Sequence, residues 1–219
     1  IATKRFMTPL AVDWGDFSGK GHLDLLVADD PPKVYLNPDG TLDARSASLS
    51  AGQARAQGAV WSARAVALDN QSLSLALSNQ TGPSLIYQTL PAHLQSTLTV
   101  ITGAAAANSV AWGDANGDGL SDLIMGAGAS NVPTKLYLND GGQFSIANQQ
   151  SFFPSGFGPH STAYGDFNGE GNLEVLIGTG NSRFIDTYLV SNTLQRTSSI
   201  PVPAPVNTVA LGDANDDGY

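Results

Sequence analysis

The sequence predicts an all-β protein assembled from repeated small antiparallel sheets. Three observations carry that expectation: an Asp/Gly-rich loop that recurs along the chain, the same order of short apolar segments around each copy, and the lack of any segment with a helical apolar stripe. The fullest copy of the loop is Asp114-Ala115-Asn116-Gly117-Asp118-Gly119-Leu120-Ser121-Asp122. Its counterparts are Asp16-Phe17-Ser18-Gly19-Lys20-Gly21-His22-Leu23-Asp24 and Asp166-Phe167-Asn168-Gly169-Glu170-Gly171-Asn172-Leu173-Glu174. A further copy, Asp213-Ala214-Asn215-Asp216-Asp217-Gly218-Tyr219, stops before its ninth position, and a worn one lies at Asp69-Asn70-Gln71-Ser72-Leu73. The leading aspartates stand at 16, 69, 114, 166 and 213, at intervals of 53, 45, 52 and 47 residues. A period of about 50 residues belongs to solenoids, propellers and arrays.

The elements follow in a fixed order within each period. A first, alternating strand is expected at Leu10-Ala11-Val12, Ala65-Val66-Ala67-Leu68, Ser109-Val110-Ala111-Trp112, Thr162-Ala163-Tyr164 and Thr208-Val209-Ala210-Leu211. The loop comes next. A second, more apolar strand is expected at Leu25-Leu26-Val27, Leu73-Ser74-Leu75-Ala76-Leu77, Leu123-Ile124-Met125 and Val175-Leu176-Ile177. The third carries a repeated Tyr-Leu, at Lys33-Val34-Tyr35-Leu36, Lys135-Leu136-Tyr137-Leu138 and Thr187-Tyr188-Leu189. It runs into Asn37-Pro38-Asp39-Gly40 or Asn139-Asp140-Gly141-Gly142, which read as hairpin turns. A fourth strand is expected around Gln143-Phe144-Ser145-Ile146 and Gln195 to Ile200. Thr41 to Gln57 comes nearest to a helix, but its Ser-Ala-Gly mixture has no apolar stripe. Four short antiparallel strands per period describe a propeller blade. The expected architecture is therefore a single β-propeller domain over residues 1–219, with repeats starting near 8, 60, 107, 160 and 206.

The loop has calcium chemistry. In the copy at Asp114, oxygen side chains stand at positions one, three, five and nine: Asp114, Asn116, Asp118 and Asp122. A carbonyl lies at position seven (Leu120), and Gly119 at position six permits a sharp turn. An EF-hand would need glutamate at position twelve and a following helix; here Met125 stands there, inside a strand-like run. Asp166, Asn168, Glu170, Asn172 and Glu174 form a second candidate set, with longer and more crowded acids. Asp213, Asn215 and Asp217 form a third, without a ninth ligand in this chain. At Asp16 the fifth residue is Lys20, whose ammonium is expected to repel calcium and pair with Asp16 and Asp24 instead. The worn copy at Asp69 is expected to hold no metal.

These repeats resemble the FG-GAP or VCBS repeats of integrin-α-type β-propellers. The resemblance rests on Asp-x-Asn-x-Asp-Gly-x-x-Asp between two strands, followed by Ile124-Met125-Gly126-Ala127-Gly128 or Leu176-Ile177-Gly178-Thr179-Gly180. It covers nearly the whole chain and is thinnest between Thr41 and Asn108. It implies a ring of about seven blades, of which about four and a half are present here, so the ring is expected to be incomplete. The chain is then expected to continue beyond Tyr219 with an acid at loop position nine. Ile1, with no basic-then-apolar leader behind it, reads as the start of a processed chain or a fragment.

Composition narrows the function classes. A 219-residue chain that is 42% hydrophobic can build a substantial core, and no apolar run reaches the length of a membrane span. Net charge is −9, but eleven of the nineteen acids lie in loop copies, where cations would neutralise them. The ten Lys and Arg residues form no basic stripe, which argues against nucleic acid. Absence of cysteine excludes a disulfide framework and leaves the redox compartment open. Neutral Asn at position three suits high calcium, and so a secreted or cell-surface protein.

Trp14, Trp112 and Tyr164 each stand two residues before a leading aspartate. Repeated in this way they could form a sugar-stacking ring, but packing between neighbouring blades is the favoured expectation, since the matching Leu211 is simply apolar. His22, His93 and His160 share no register, and no nucleophile motif is present. The leading functional expectation is a non-enzymatic, calcium-stabilised adhesion or binding module with a protein or carbohydrate ligand on its loop face. One alternative is the carbohydrate-binding or catalytic propeller of a polysaccharide-active enzyme, with Trp61, Tyr164 and His160 facing a groove. Another is a scaffold segment of a secreted toxin-like assembly.

Overall fold

The computed structural model describes residues 11–27, 33–43, 46–48, 60–67, 73–79, 84–90, 93–101, 107–127, 133–141, 143–152, 159–180, 182–190 and 194–212. Every helix or strand among them is a strand, and none of the described residues forms a helix long and apolar enough to cross a membrane. The chain divides into two compact units, Ile1–Val100 and Ile101–Tyr219.

The first unit holds β1 (Val12–Gly15), β2 (Asp24–Val27), β3 (Lys33–Tyr35) and β4 (Ser46–Ser48), paired in chain order as one sheet. Its second sheet runs β5 (Val60–Ala67), β6 (Leu73–Asn79), β7 (Ser84–Leu90) and β8 (His93–Ile101). The second unit repeats the plan with β9 (Ala107–Gly113), β10 (Asp122–Ala127), β11 (Thr134–Asp140) and β12 (Gln143–Phe152). A fourth sheet follows as β13 (Pro159–Gly165), β14 (Glu174–Thr179), β15 (Phe184–Val190) and β16 (Leu194–Pro201). The expected four-stranded sheet is thus found four times among the described residues.

Register explains where the loops sit. Gly15 pairs with Asp24, Gly113 with Asp122, and Gly165 with Glu174. Each Asp/Gly loop is therefore the connection of the first hairpin, and its ninth-position acid is the first residue of the second strand. That acid is buried in all three copies (Asp24, Asp122, Glu174) because the second strand is central to its sheet.

The core of the second unit lies between its two sheets. Ile124, Leu136, Val175 and Ile177 are fully buried in one cluster with Ala111, Ala115, Tyr188 and Val190, with Leu138 and Tyr164 packed against it. Burial of each large apolar side chain contributes about 1.5–3 kcal/mol relative to exposure. Every residue of β14 is buried, and between Glu174 and Thr179 its sequence is continuously apolar rather than alternating.

Several strands depart from expectation. β4, β7 and β8 were not foreseen; β4 falls inside the Ser-Ala-Gly stretch and β7 has no Tyr-Leu mark. Thr208 to Leu211 forms no strand. A strand needs a ladder partner, and among the described residues none is paired with this segment. It is held instead by Ser161 Oγ, which accepts from Val209 N at 3.0 Å, and by packing, Val209 and the nearby Val206 lying against Leu176 and over Gly178.

Candidate functional site

Three of the Asp/Gly loops lie within the described residues, and all three are built on the same frame. The leading aspartate accepts hydrogen bonds from the loop's own backbone. In the loop at Asp114, Oδ1 accepts from Gly117 N (2.8 Å) and Asp118 N (3.1 Å), and Oδ2 accepts from Gly119 N (2.8 Å). Asp166 accepts from Gly169, Glu170 and Gly171 at 2.8, 3.1 and 2.8 Å. Asp16 accepts from Lys20 N at 2.9 Å and Gly21 N at 2.7 Å. Wrapping three amides around one carboxylate requires left-handed backbone at positions four and six. Glycine supplies it in each loop: φ is 66° and 79° at Gly19 and Gly21, 76° and 85° at Gly117 and Gly119, and 72° and 83° at Gly169 and Gly171. Sequence reasoning singled out position six alone, although a glycine at position four recurs in the same three copies.

The ninth acid is the other anchor. Asp122 Oδ2 accepts from Ala115 N at 2.8 Å, and its Oδ1 accepts from Asn139 N at 2.7 Å. Asn139 also donates its side-chain amide to Ser121 O at 3.1 Å, so it ties the end of β11 to the loop. The first unit repeats this clamp: Asn37 N donates to Asp24 Oδ1 at 2.6 Å and Asn37 Nδ2 to Leu23 O at 3.0 Å. In the fourth sheet the matching residue is Val190, whose N–H instead reaches Leu173 O at 3.2 Å. The longer Glu174 turns into its own loop, accepting from Phe167 N at 3.2 Å and Asn168 Nδ2 at 2.8 Å. Asn37 and Asn139 read in the sequence only as turn residues; the signal that could have found them is their shared place two residues after the repeated tyrosine.

Electrostatics separate the loops. Burial raises the Asp122 carboxyl above its ordinary value, backbone amides of Asn139 and Ala115 oppose this, and the charges of Asp118 and Asp114 push it up further. Burial likewise raises Glu174, opposed by Phe167 N–H, with Asp166 adding to the rise. At Asp16 burial also pushes upward, but hydrogen bonds from Gly21, Lys20, Gly19 and Ser18 outweigh it and the carboxyl is lowered. The expected ion pairs of Lys20 are not formed. Its backbone N–H serves Asp16 while its side chain is exposed, and among the described residues no salt bridge joins it to Asp16 or Asp24. Amides already held in the turn satisfy Asp16 without ordering a long, flexible side chain.

The donor set of the Asp114 loop is chemically suited to calcium, being all hard oxygen: Asp114, Asn116, Asp118, the Leu120 carbonyl and Asp122. Asn116 and Asp118 are exposed and hydrogen-bonded to each other, Nδ2 to Oδ2 at 2.9 Å. Among the described residues no three Asp, Glu, His or Cys side chains converge as a metal site. Binding would therefore require Asn116 and Asp118 to exchange these mutual bonds for ion contacts. Asp166, Asn168, Glu170, Asn172 and Glu174 form the parallel set. Asp213, Asn215, Asp217 and the worn copy at Asp69 lie outside the described residues.

Of the three repeated aromatics, only Tyr164 packs on the neighbouring sheet as expected; Trp112 packs within its own sheet and Trp14 does not pack. The Tyr164 ring lies on the Gly113 backbone, where an added Cβ would stand 2.6 Å from Cγ. Trp112 meets Phe144 edge-on, ring centroids 5.6 Å apart. Trp14 is exposed. The side chains of Trp61, His93 and His160 lie outside the described residues, and His22 is exposed.

Residues 114–177 match the family model of the FG-GAP-like repeat. No curated protein matches the chain. Among solved structures the chain is similar to BBS1N in complex with ARL6DN, at 14% identity over 92% of this chain and 57% of that one, with a TM-score of 0.62. It is similar to Raptor of Chaetomium thermophilum at 10% identity, covering 92% of this chain and 18% of that one, TM-score 0.57. It is also similar to NanB in the structure with Optactamide, at 13% identity, 75% and 26% coverage, and a TM-score of 0.52. The chain thus spans little more than half of the BBS1N structure. At these identities the likeness is one of fold: the protein is an all-β propeller with an FG-GAP-like repeat at 114–177.

Proposed function

We propose that this protein is a calcium-stabilised, non-enzymatic β-propeller module that binds a protein ligand through its loop face, outside the cell or on its surface. The observation that carries the calcium reading is the crowding of carboxylates in the Asp114 loop, where the charges of Asp118 and Asp114 oppose ionisation of the buried Asp122. A divalent cation relieves that repulsion and is the ion best matched to an all-oxygen set with a neutral amide at position three. Asp114, Asn116, Asp118, Asp122 and the Leu120 carbonyl would hold it, with Asp166, Asn168, Glu170, Asn172 and Glu174 as a second site. Asp213, Asn215 and Asp217 are proposed as a third, weaker one. Neutral Asn lowers affinity into the range suited to extracellular calcium, about 10⁻⁴–10⁻³ M. A protein ligand is favoured over a sugar because Tyr164 and Trp112 are used in packing. The propeller-like BBS1N, moreover, is itself in complex with another protein.

Thermal melting of the chain in EDTA and in millimolar calcium tests the reading. Calcium at a tenfold excess over Kd should add about 1.4 kcal/mol per site. Identical melting in both conditions would leave the loops as plain structural turns.

A further inference from the structure

Asn116-Gly117 and Asn168-Gly169 are the two Asn-Gly pairs of the chain, and each occupies positions three and four of a loop. Such a pair carries its own reaction. The glycine nitrogen attacks the asparagine Cγ, and glycine, lacking Cβ, does not crowd the approach. The nitrogen's hydrogen passes to solvent, Nδ2 leaves as ammonia, and a cyclic imide joins the two residues. Water then opens the ring to aspartate or isoaspartate. Both asparagines are exposed, so water reaches them. The loops nevertheless tie down both reacting groups. Gly117 N donates to Asp114 Oδ1 at 2.8 Å, and Gly169 N donates to Asp166 Oδ1 at 2.8 Å. A carboxylate beside the nitrogen also opposes the negative charge that develops there during attack. The carboxamides are held in turn. Asn116 Nδ2 donates to Asp118 Oδ2 at 2.9 Å while its Oδ1 accepts from Asp118 N at 3.1 Å. Asn168 Nδ2 donates to Glu174 Oε1 at 2.8 Å, and its Oδ1 accepts from Glu170 N at 2.9 Å.

We infer that Asn116 and Asn168 are latent deamidation sites, and that Asp114 and Asp166 hold them unreacted by engaging the glycine nitrogen. The Asp16 loop lies outside this chemistry, because Ser18 stands at its third position. Conversion would remodel the other two. Aspartate at position three sets a second carboxylate against Asp118, to which Asn116 Nδ2 now donates. Isoaspartate adds a methylene to the backbone within the frame itself.

Peptide mapping by mass spectrometry tests this on the full chain, aged in EDTA at mildly alkaline pH so that no metal takes part. Folded wild type should deamidate more slowly at both pairs than the same chain in urea. Asp114→Ala should speed Asn116 by roughly tenfold or more, the rate equivalent of one hydrogen bond to a charged group, while Asn168 in the same molecules keeps its wild-type rate. Asp166→Ala should do the reverse. Circular dichroism reports whether each variant folds, and the wild-type comparison in buffer and urea decides alone where one does not. Equal wild-type rates in buffer and urea would overturn the proposal. So would a folded Asp114→Ala chain in which Asn116 deamidates no faster than in wild type, or in which both pairs accelerate alike.

Discussion

The loops at Asp16 and Asp114 have nearly the same backbone and different side chains between their anchors. Both wrap two or three amides around the leading carboxylate, both use glycine at positions four and six, and both tether a buried ninth acid to an asparagine at the end of the third strand. They differ at positions three and five, where Ser18 and Lys20 stand against Asn116 and Asp118. Asp16 is lowered, whereas Asp122 is raised. The comparison separates two tasks within one motif. The Asp/Gly frame and the asparagine clamp make the hairpin, and the side chains at three and five decide whether the hairpin concentrates negative charge.

If that separation holds, the frame should matter in both units without calcium. Asp122→Ala would orphan Ala115 N and Asn139 N, and Asp24→Ala would orphan Ser18 N and Asn37 N. A buried donor left without a partner costs about 1–3 kcal/mol; the first two are buried and the second two half-buried. Denaturant melts in EDTA should show a loss in both variants, the larger for Asp122→Ala. A loss confined to Asp122→Ala would break the shared-frame account.

The second expectation concerns position five. Lys20→Asp should convert the Asp16 loop into a calcium-responsive one, raising stability in calcium by up to about 2.7 kcal/mol at a hundredfold excess over Kd. Melting temperatures with and without calcium report it, and an unchanged calcium response would mean that position five does not control the loop.

The clamp is a smaller term. Asn139→Ala keeps the backbone bond to Asp122 and removes the amide bond to Ser121 O, whose loss costs about 0.5–1.5 kcal/mol. Val190→Asn in the fourth sheet should lose stability rather than gain a clamp, because Val190 is buried in the core cluster and Glu174 is turned towards Phe167 and Asn168. Equilibrium unfolding of both variants checks the pair; a Val190→Asn variant more stable than wild type would show that the clamp is not specific to an aspartate at position nine.

The smallest effect is the pH dependence in EDTA, and its sign differs between loops. Asp122 and Glu174 have raised folded pKa values, so their contribution is fully present below the ordinary 3.8 and 4.5 and is lost as pH rises through the raised values. Asp16 is lowered, so its contribution is present above 3.8 and lost as pH falls through the lowered value. Amide exchange across this range should show the Asp114 and Asp166 loops gaining protection on mild acidification, while the Asp16 loop gains none. Protection moving the same way in all three would contradict the electrostatic difference.

Much of the fold was legible because its signals are local and repeated. The Asp/Gly loops lie between the strands expected around Leu26, Ile124 and Ile177, and the register Gly113–Asp122 follows from the hairpin that the loop closes. β7 and β8 were not legible, since Ser84–Leu90 and His93–Ile101 carry neither Tyr-Leu nor a turn signal. Thr208 to Leu211 has a strand's alternation but no ladder partner, and pairing is not a property of the segment alone. At the site, donor types and spacing were readable. The asparagine clamp was not, because Asn139 acts on Asp122 from 17 residues away through its backbone N–H. Nor was the idle Lys20 ammonium: opposite charges near in sequence suggested a pair that satisfied backbone amides make unnecessary.

Calorimetric titration of calcium into the full chain, wild type beside Asp118→Ala, tests the central claim most directly. Asp118 is exposed and supplies the fifth-position carboxylate; the bonds it accepts from Leu120 N and Asn116 Nδ2 are themselves exposed, so its removal should leave the fold in place. The account predicts calcium binding by wild type at millimolar concentration or below, with the Asp114 site weakened by roughly tenfold or more in the variant, the equivalent of about 1.4 kcal/mol. No heat of binding in wild type, or an isotherm unchanged by Asp118→Ala, would contradict it.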